Sequence, residues 1–163
     1  MGTLPLAEWI CKAQHRIIQA VQLFDSWAGA LSGEEYEAFA APYTKDLLHV
    51  VQKGVPVIHF GTKTGDFLDK ISCTGGDVIG VDHRIALDEA WKKIGPDKAI
   101  QGNLDPKILC GDLKEVRRQV RRILGEAGGR PGHIFNLGHG VLPETPEENA
   151  VALVAMVHEM SRR

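Results

Sequence analysis

Five clusters of side chains in this sequence have the types and spacing to do chemistry. They are Asp25-Ser26-Trp27 with Gly29, the run Gly61-Thr62-Lys63-Thr64, Asp82-His83-Arg84, the set Gln101, Gly102, Asn103 and Asp105, and Asn136 with Gly138-His139-Gly140. Each follows or ends a short apolar run. In parallel α/β folds, ligands bind at the carboxyl ends of the strands. Any one of these ends also reads as a solvated loop with caps and turns. Five together predict a polar pocket on one face.

Asp25-Ser26 and Gly138-His139 are the sharpest pair. His139 sits between two glycines, so backbone can approach a ligand closely there. An imidazole at that spot can donate to a carboxylate or relay a proton. It equally fits a histidine hydrogen-bonded into its own loop. A hydrolytic triad of Ser26, His139 and an acid is disfavoured, because no Gly-x-Ser-x-Gly elbow surrounds Ser26. The run Gly61-Thr62-Lys63-Thr64-Gly65 suits a phosphate but lacks the spacing of either standard phosphate loop. Arg84 has two readings, a contact to an anionic substrate group or a surface ion pair. The seven histidines form no compact metal signature. His59 and His133 fall inside apolar strands and read as satisfied core or barrel-interior residues. Trp9, Trp27 and Trp91 read as packing residues. Arg117, Arg118, Arg121 and Arg122 read as a solvated helix face.

The elements that must position these residues alternate in type. Strands are predicted at Ala20–Asp25, Val55–Phe60, Asp77–Asp82, Lys98–Gly102 and Gly132–Leu137, with the length and composition of buried parallel strands. Ser32-Gly-Glu-Glu35 is a capping box. It opens a helix with Tyr36, Phe39, Ala40, Tyr43, Leu47 and Val50 on one face, ending near Gly54. A second long helix spans Asp112 to Ala127, with Leu113, Val116, Val120, Ile123 and Leu124 on one face. Thr145-Pro-Glu-Glu148 reads as a further capping box, with Pro146 at the first helical position. Its helix carries Ala150, Leu153, Val154 and Val157 as a stripe. Shorter helices are expected at Asp66–Cys73 and Leu87–Ile94. Strand–helix alternation implies parallel pairing through right-handed crossovers, hence an α/β fold. An open doubly wound sheet and part of a (β/α)8 barrel both satisfy this pattern.

A length of 163 residues fits one domain. The net charge of −2 supplies no basic excess for nucleic acid or an anionic membrane. Cys11, Cys73 and Cys110 lie far apart without a CxxC, which argues for free thiols and a cytoplasmic location. No apolar run approaches the roughly 20 residues of a membrane span. The start Met1-Gly2-Thr3-Leu4-Pro5 has no signal-peptide pattern.

Three strand-end motifs carry a family resemblance. Leu23-Phe-Asp-Ser-Trp-Ala-Gly29, Gln101-Gly-Asn-Leu-Asp-Pro106 and Phe135-Asn-Leu-Gly-His-Gly140 resemble uroporphyrinogen decarboxylase, in that order. Val55-Pro-Val-Ile-His-Phe-Gly61, Val78-Ile-Gly-Val-Asp82 and Leu142-Pro-Glu-Thr-Pro-Glu-Glu-Asn149 are similar to the family as well. The resemblance runs from about Ala20 to Glu159. It divides the single domain 1–163 into an atypical segment 1–19 and a partial barrel 20–163. It implies the last five β/α units of a (β/α)8 TIM barrel and a homodimer. The implied activity removes the acetate carboxyl groups of uroporphyrinogen to give coproporphyrinogen, with no metal or organic cofactor.

In the family, the serine matching Ser26 and the histidine matching His139 contact substrate carboxylates or the nearby pocket. Arg84 joins them as a substrate-binding candidate. Family members are about twice this length, and their amino-terminal half carries the carboxylate-holding arginines and the aspartate that faces the pyrrole N–H groups. No motif here matches those, so the resemblance assigns no catalytic residue, and Asp25 and Asp82 are not promoted to that role. The chain reads as a fragment, a rearranged frame or a natural half-length relative. An open sheet favours association, so a homo-oligomer is expected. One alternative is a non-catalytic half-barrel that binds a tetrapyrrole or a partner chain. Another is a relative of the corrinoid-linked methyltransferases, which bind zinc through His-x-Cys and a later Cys. Here Phe60 and Gly61 follow His59, and no Cys lies near Gly138-His139.

Overall fold

The computed structural model describes residues 18–51 and 55–162. Five strands, β1 (Val21–Asp25), β2 (Val57–Gly61), β3 (Val78–Gly80), β4 (Ala99–Leu104) and β5 (His133–Leu137), form one sheet. All pairs are parallel and the spatial order is β1-β2-β3-β4-β5. This order decides between the two architectures left open by the sequence. A doubly wound sheet reverses its strand order part-way and puts helices on both faces. Sequential order with right-handed crossovers puts every helix on one face, as in a barrel.

The register separates the two faces. Leu23, His59, Ile79, Ile100 and His133 lie in one row across all five strands. Phe24, Phe60, Gly80, Gln101 and Ile134 form a row of the opposite parity. The sheet is curled around this second row. In a flat sheet β1 and β4 would lie roughly 14 Å apart at about 4.8 Å per strand. Here the Gln101 amide donates to the Gln22 carboxamide oxygen at 3.3 Å. The concave side is open at both ends of the arc: Phe24 on β1 is 66% exposed and Ile134 on β5 is 42% exposed.

The crossovers carry α1 (Ala41–Val51), α2 (Leu68–Thr74), α3 (Leu87–Ile94), the short α4 (Pro106–Leu109) and α5 (Leu113–Ala127), and α6 (Glu147–Met160) follows β5. The main core lies between them and the sheet. It joins Ile79, Ile100 and Leu104 to Leu68, Ile71, Leu87, Trp91, Val116, Val120, Ile123 and Leu153. The α5 stripe is as expected at Val116, Val120 and Ile123. Its first turn is capped by the Asp112 carboxylate, which accepts from the Lys114 N–H at 2.8 Å. Arg118 and Arg122 pair with Glu115 and Glu126 on its outer face. No helix among the described residues is long and apolar enough to cross a membrane.

Three local expectations are corrected. The Ser32 capping box forms, with Glu35 accepting from the Ser32 N–H at 2.8 Å. Residues Tyr36–Ala40 then make a π-turn before α1. The wider turn advances the buried face by about one residue. Leu48 and Val51 are therefore buried, while Phe39 and Tyr43 are exposed. Gly54, the expected helix end, lies outside the described residues. The box at Thr145 does not form. Pro146 is the N-cap of α6, and the Thr145 hydroxyl sits 3.5 Å from the Cys110 thiol instead. On α6, Leu153 and Met156 are buried with Asn149, and Val154 is exposed with Val151. That helix follows β5 at the edge of the sheet, and among the described residues no further unit covers its outer flank.

Candidate active site

The loop after β1 is built on Asp25. Its half-buried carboxylate takes hydrogen bonds from the Trp27 and Ala28 backbone, which shapes the turn that carries Ser26. Burial raises the Asp25 carboxyl above its ordinary range, and these bonds oppose the shift. Asp25 is thereby a turn-forming residue. The Ser26 carbonyl accepts the Thr62 hydroxyl, which ties the β1 loop to the β2 loop. The two loops touch at Gly29, where an added Cβ would lie 2.2 Å from the Thr62 carbonyl oxygen.

The loop after β3 is organised by Asp82, whose residue is only 4% exposed. One carboxylate gathers three donors. Oδ2 accepts from the Lys63 N–H at 2.8 Å and from Arg84 Nη1 at 2.7 Å, and Oδ1 accepts from the Arg84 N–H at 3.0 Å. The Asn103 amide holds the same loop from β4, donating to the carbonyls of Asp82 and Ile85 at 3.0 and 2.7 Å. The loop after β5 closes against it. The Gly138 N–H donates to the Leu104 carbonyl at 2.7 Å. His139 is exposed and stands edge-on to Phe60, with ring centroids 6.5 Å apart.

These loops enclose a cleft of about 480 Å³ lined by Ser26, Trp27, Gly29, Ala30, Thr62, Lys63, Arg84 and His139. The structure thus brings Ser26, Arg84 and His139 together from the ends of β1, β3 and β5. Arg84 makes an ion pair, with the buried Asp82, and its side chain also lines the cleft. The fourth strand end contributes nothing to the lining. β4 runs on to Leu104, which places Gln101, Gly102 and Asn103 inside the strand, and Asp105 caps α4. Trp27 is not a packing residue: it is 83% exposed at the cleft rim. Trp91 is one, with its indole N–H on the Lys98 carbonyl. Trp9 and Cys11 lie outside the described residues. His133 is satisfied, 3.0 Å from the Gly102 carbonyl, whereas neither ring nitrogen of the fully buried His59 has a hydrogen bond of good geometry among the described residues. No group of three or more His, Cys, Asp or Glu side chains among the described residues is placed to hold a metal ion.

The sequence conceals that Lys63 lines the cleft and that Asp82 holds the loops around it. Lys63 lay in a run judged against phosphate-loop spacing. The partnership of Asp82 with Lys63 spans 19 positions and leaves no local pattern.

The family model for uroporphyrinogen decarboxylase matches residues 7–160. The chain belongs to the uroporphyrinogen decarboxylase family. The match begins ahead of Ala20, where the motif resemblance starts. Curated relatives named uroporphyrinogen decarboxylase include that of Carboxydothermus hydrogenoformans, 52% identical over 144 residues, covering 88% of this chain and 41% of that protein. That of Solibacter usitatus is 54% identical over 142 residues, covering 86% of this chain and 41% of that protein. The chain therefore spans about two fifths of the length of these relatives. Among solved structures, a methyltransferase from Methanosarcina mazei superposes with a TM-score of 0.83 at 18% identity, over 98% of this chain and 47% of that one. At that identity the likeness is one of fold, and it supports the partial-barrel architecture.

Proposed function

We propose that this chain forms part of a uroporphyrinogen decarboxylase site, a carboxy-lyase of tetrapyrrole (heme) biosynthesis acting in the cytoplasm. The observation that carries the reading is the meeting of Ser26, Arg84 and His139 in one cleft of a chain from this family. The substrate is uroporphyrinogen. Each turnover converts an acetate side chain and one proton into a methyl group and carbon dioxide. A pyrrole ring carbon takes a proton, and the carbon–carbon bond to the carboxylate breaks. The released electron pair neutralises the ring cation as an exocyclic methylene. A proton added there makes the methyl group as the ring proton leaves. Ser26, His139 and Arg84 serve the substrate's other carboxylates, holding the ring in position. No residue of this cleft is assigned the proton transfer itself, and the reading includes no metal or organic cofactor.

The direct test is incubation of the chain with uroporphyrinogen in the absence of oxygen, with the carboxyl number of the products measured. Products with seven to four carboxyl groups support the reading. In that case His139→Asn is expected to raise KM about fivefold to tenfold, with a smaller change in kcat. An unchanged KM removes His139 from the carboxylate-binding set. A second reading has the chain bind a tetrapyrrole or a partner chain without turnover, and the open concave face with exposed Phe24 and Ile134 favours it. Binding without products selects that reading.

The same proposal includes a homo-oligomer. β1 and β5 end the sheet, and exposed apolar residues flank both: Phe24 on one, Ile134 with Val151 and Val154 on the other. Open edges of this kind favour association. Sedimentation at micromolar concentration is expected to give a species larger than one chain, and a monodisperse monomer withdraws this part of the proposal.

A further inference from the structure

We infer that Lys63 and Arg84, held by the buried carboxylate of Asp82, form a binding position for one carboxylate side chain of a tetrapyrrole. This rests on the reading above and adds a cationic position with Asp82 as its positioning residue.

The first observation is the backbone at Lys63. Its φ is +57°, in the left-handed region that residues other than glycine adopt only uncommonly. Glycine takes that conformation at no steric cost. Lysine there contributes nothing to the core, for its side chain is exposed. It does line the cleft, beside Arg84 and His139.

The second observation is how firmly this position is fixed. The Lys63 N–H is bound by Asp82 at 2.8 Å. On the other side, Gly29 packs so closely that an added Cβ would meet the Lys63 Cβ at 2.5 Å. The Thr62 hydroxyl fastens the preceding residue to Ser26. The loop tip is thus clamped from β1 and from β3, while the ammonium group has no ion-pair partner among the described residues.

The third observation is charge. The Asp82 carboxylate and the Arg84 guanidinium offset one another at 2.7 Å. Lys63 adds one uncompensated positive charge beside them. Arg84 spends Nη1 on Asp82, and a guanidinium has further N–H groups to offer. An ammonium and a half-used guanidinium held on one loop pair suit a single carboxylate. Asp82 sets both donors by their backbones, since it binds the N–H of each residue.

The test reads binding of uroporphyrinogen without oxygen, by quenching of the intrinsic tryptophan fluorescence to which Trp27 contributes at the cleft rim. Lys63→Gly is expected to weaken binding about tenfold while leaving the thermal midpoint unchanged or raised, because glycine relieves the left-handed backbone. Lys63→Arg is expected to keep most of the affinity. Asp82→Asn is expected to weaken binding although it removes a negative charge from the cleft. A purely electrostatic role for Asp82 gives the opposite sign. Wild-type affinity in Lys63→Gly overturns the inference, as does tighter binding in Asp82→Asn, or no binding by the wild-type chain. Lys63-dependent binding without products upholds this position and rejects the decarboxylase reading. Turnover with the same KM in Lys63→Gly does the reverse.

Discussion

Replacing Gly138 with alanine is expected to lower stability by about 3 kcal/mol and to distort the cleft, while the same change at Gly140 leaves both intact. The two glycines flank His139 and look equivalent in sequence. Their surroundings differ. A Cβ on Gly138 would lie 2.4 Å from the His83 backbone nitrogen and 3.0 Å from the Asp82 carbonyl carbon. Those atoms belong to the loop that sets Arg84 and, through the Asp82 carboxylate, Lys63. That backbone cannot yield without dragging both cations with it. Gly138 is also held from below, by its N–H on the Leu104 carbonyl. A Cβ on Gly140 meets nothing within 4 Å. Alanine there also narrows the unfolded ensemble, so the change is expected to be neutral or slightly stabilising. Denaturant midpoints of the two variants, with ligand binding measured beside them, check this. Equal losses at both positions would mean that the β5 loop does not rest on the β3 loop as described.

This contrast shows what the sequence could and could not disclose. Close approach at a glycine was legible, but the partner was not: the backbone that presses on Gly138 is the protein's own, more than fifty residues earlier. The five strands were legible because buried parallel strands are continuous apolar runs bounded by polar ends. Their spatial order was not, since hydrophobic period carries no information about which strand lies beside which. The π-turn at Tyr36–Ala40 defeated the stripe of Phe39 and Tyr43 for a related reason. A constant helical period is assumed when a face is counted, and one wider turn shifts every later position. Thr145 matched the letters of a capping box, yet its chain geometry starts α6 two residues later. That Ser26, Arg84 and His139 line one cleft is legible in the sequence because each follows a strand. Asp82 stood in the same register and was passed over, because its effect is exerted through two backbone N–H groups and one guanidinium. The exposed Trp27 shows the limit of reading aromatic residues as core: an aromatic at a strand end lines a cleft as readily as it packs.

The titration of His59 is expected to dominate the acid sensitivity of the fold. It occupies the middle of β2, fully buried, with no hydrogen bond of good geometry to either ring nitrogen among the described residues. Burial pushes its imidazole down from 6.5 to about 4, and the nearby Lys98 cation acts in the same direction against a smaller contribution from the Gly75 backbone. Below pH 6.5 the unfolded chain takes up a proton that the folded chain refuses. The stability tied to His59 is therefore complete above pH 6.5 and is lost as pH falls toward 4. At one proton the slope is about 1.4 kcal/mol per pH unit, or about 3 kcal/mol across the interval. His133 is lowered by burial too and adds to the loss just below its ordinary range. His59→Leu should flatten most of the slope between pH 6.5 and 4 and raise the urea midpoint at pH 5 far more than at pH 8. A slope unchanged in that variant would place the acid sensitivity elsewhere. The consequence reaches the cleft, because β2 ends in Gly61 and leads directly into Thr62 and Lys63. Loss of ligand binding on acidification should then follow the unfolding midpoint, and His59→Leu should shift both together, whereas titration of a group in the cleft would move binding alone.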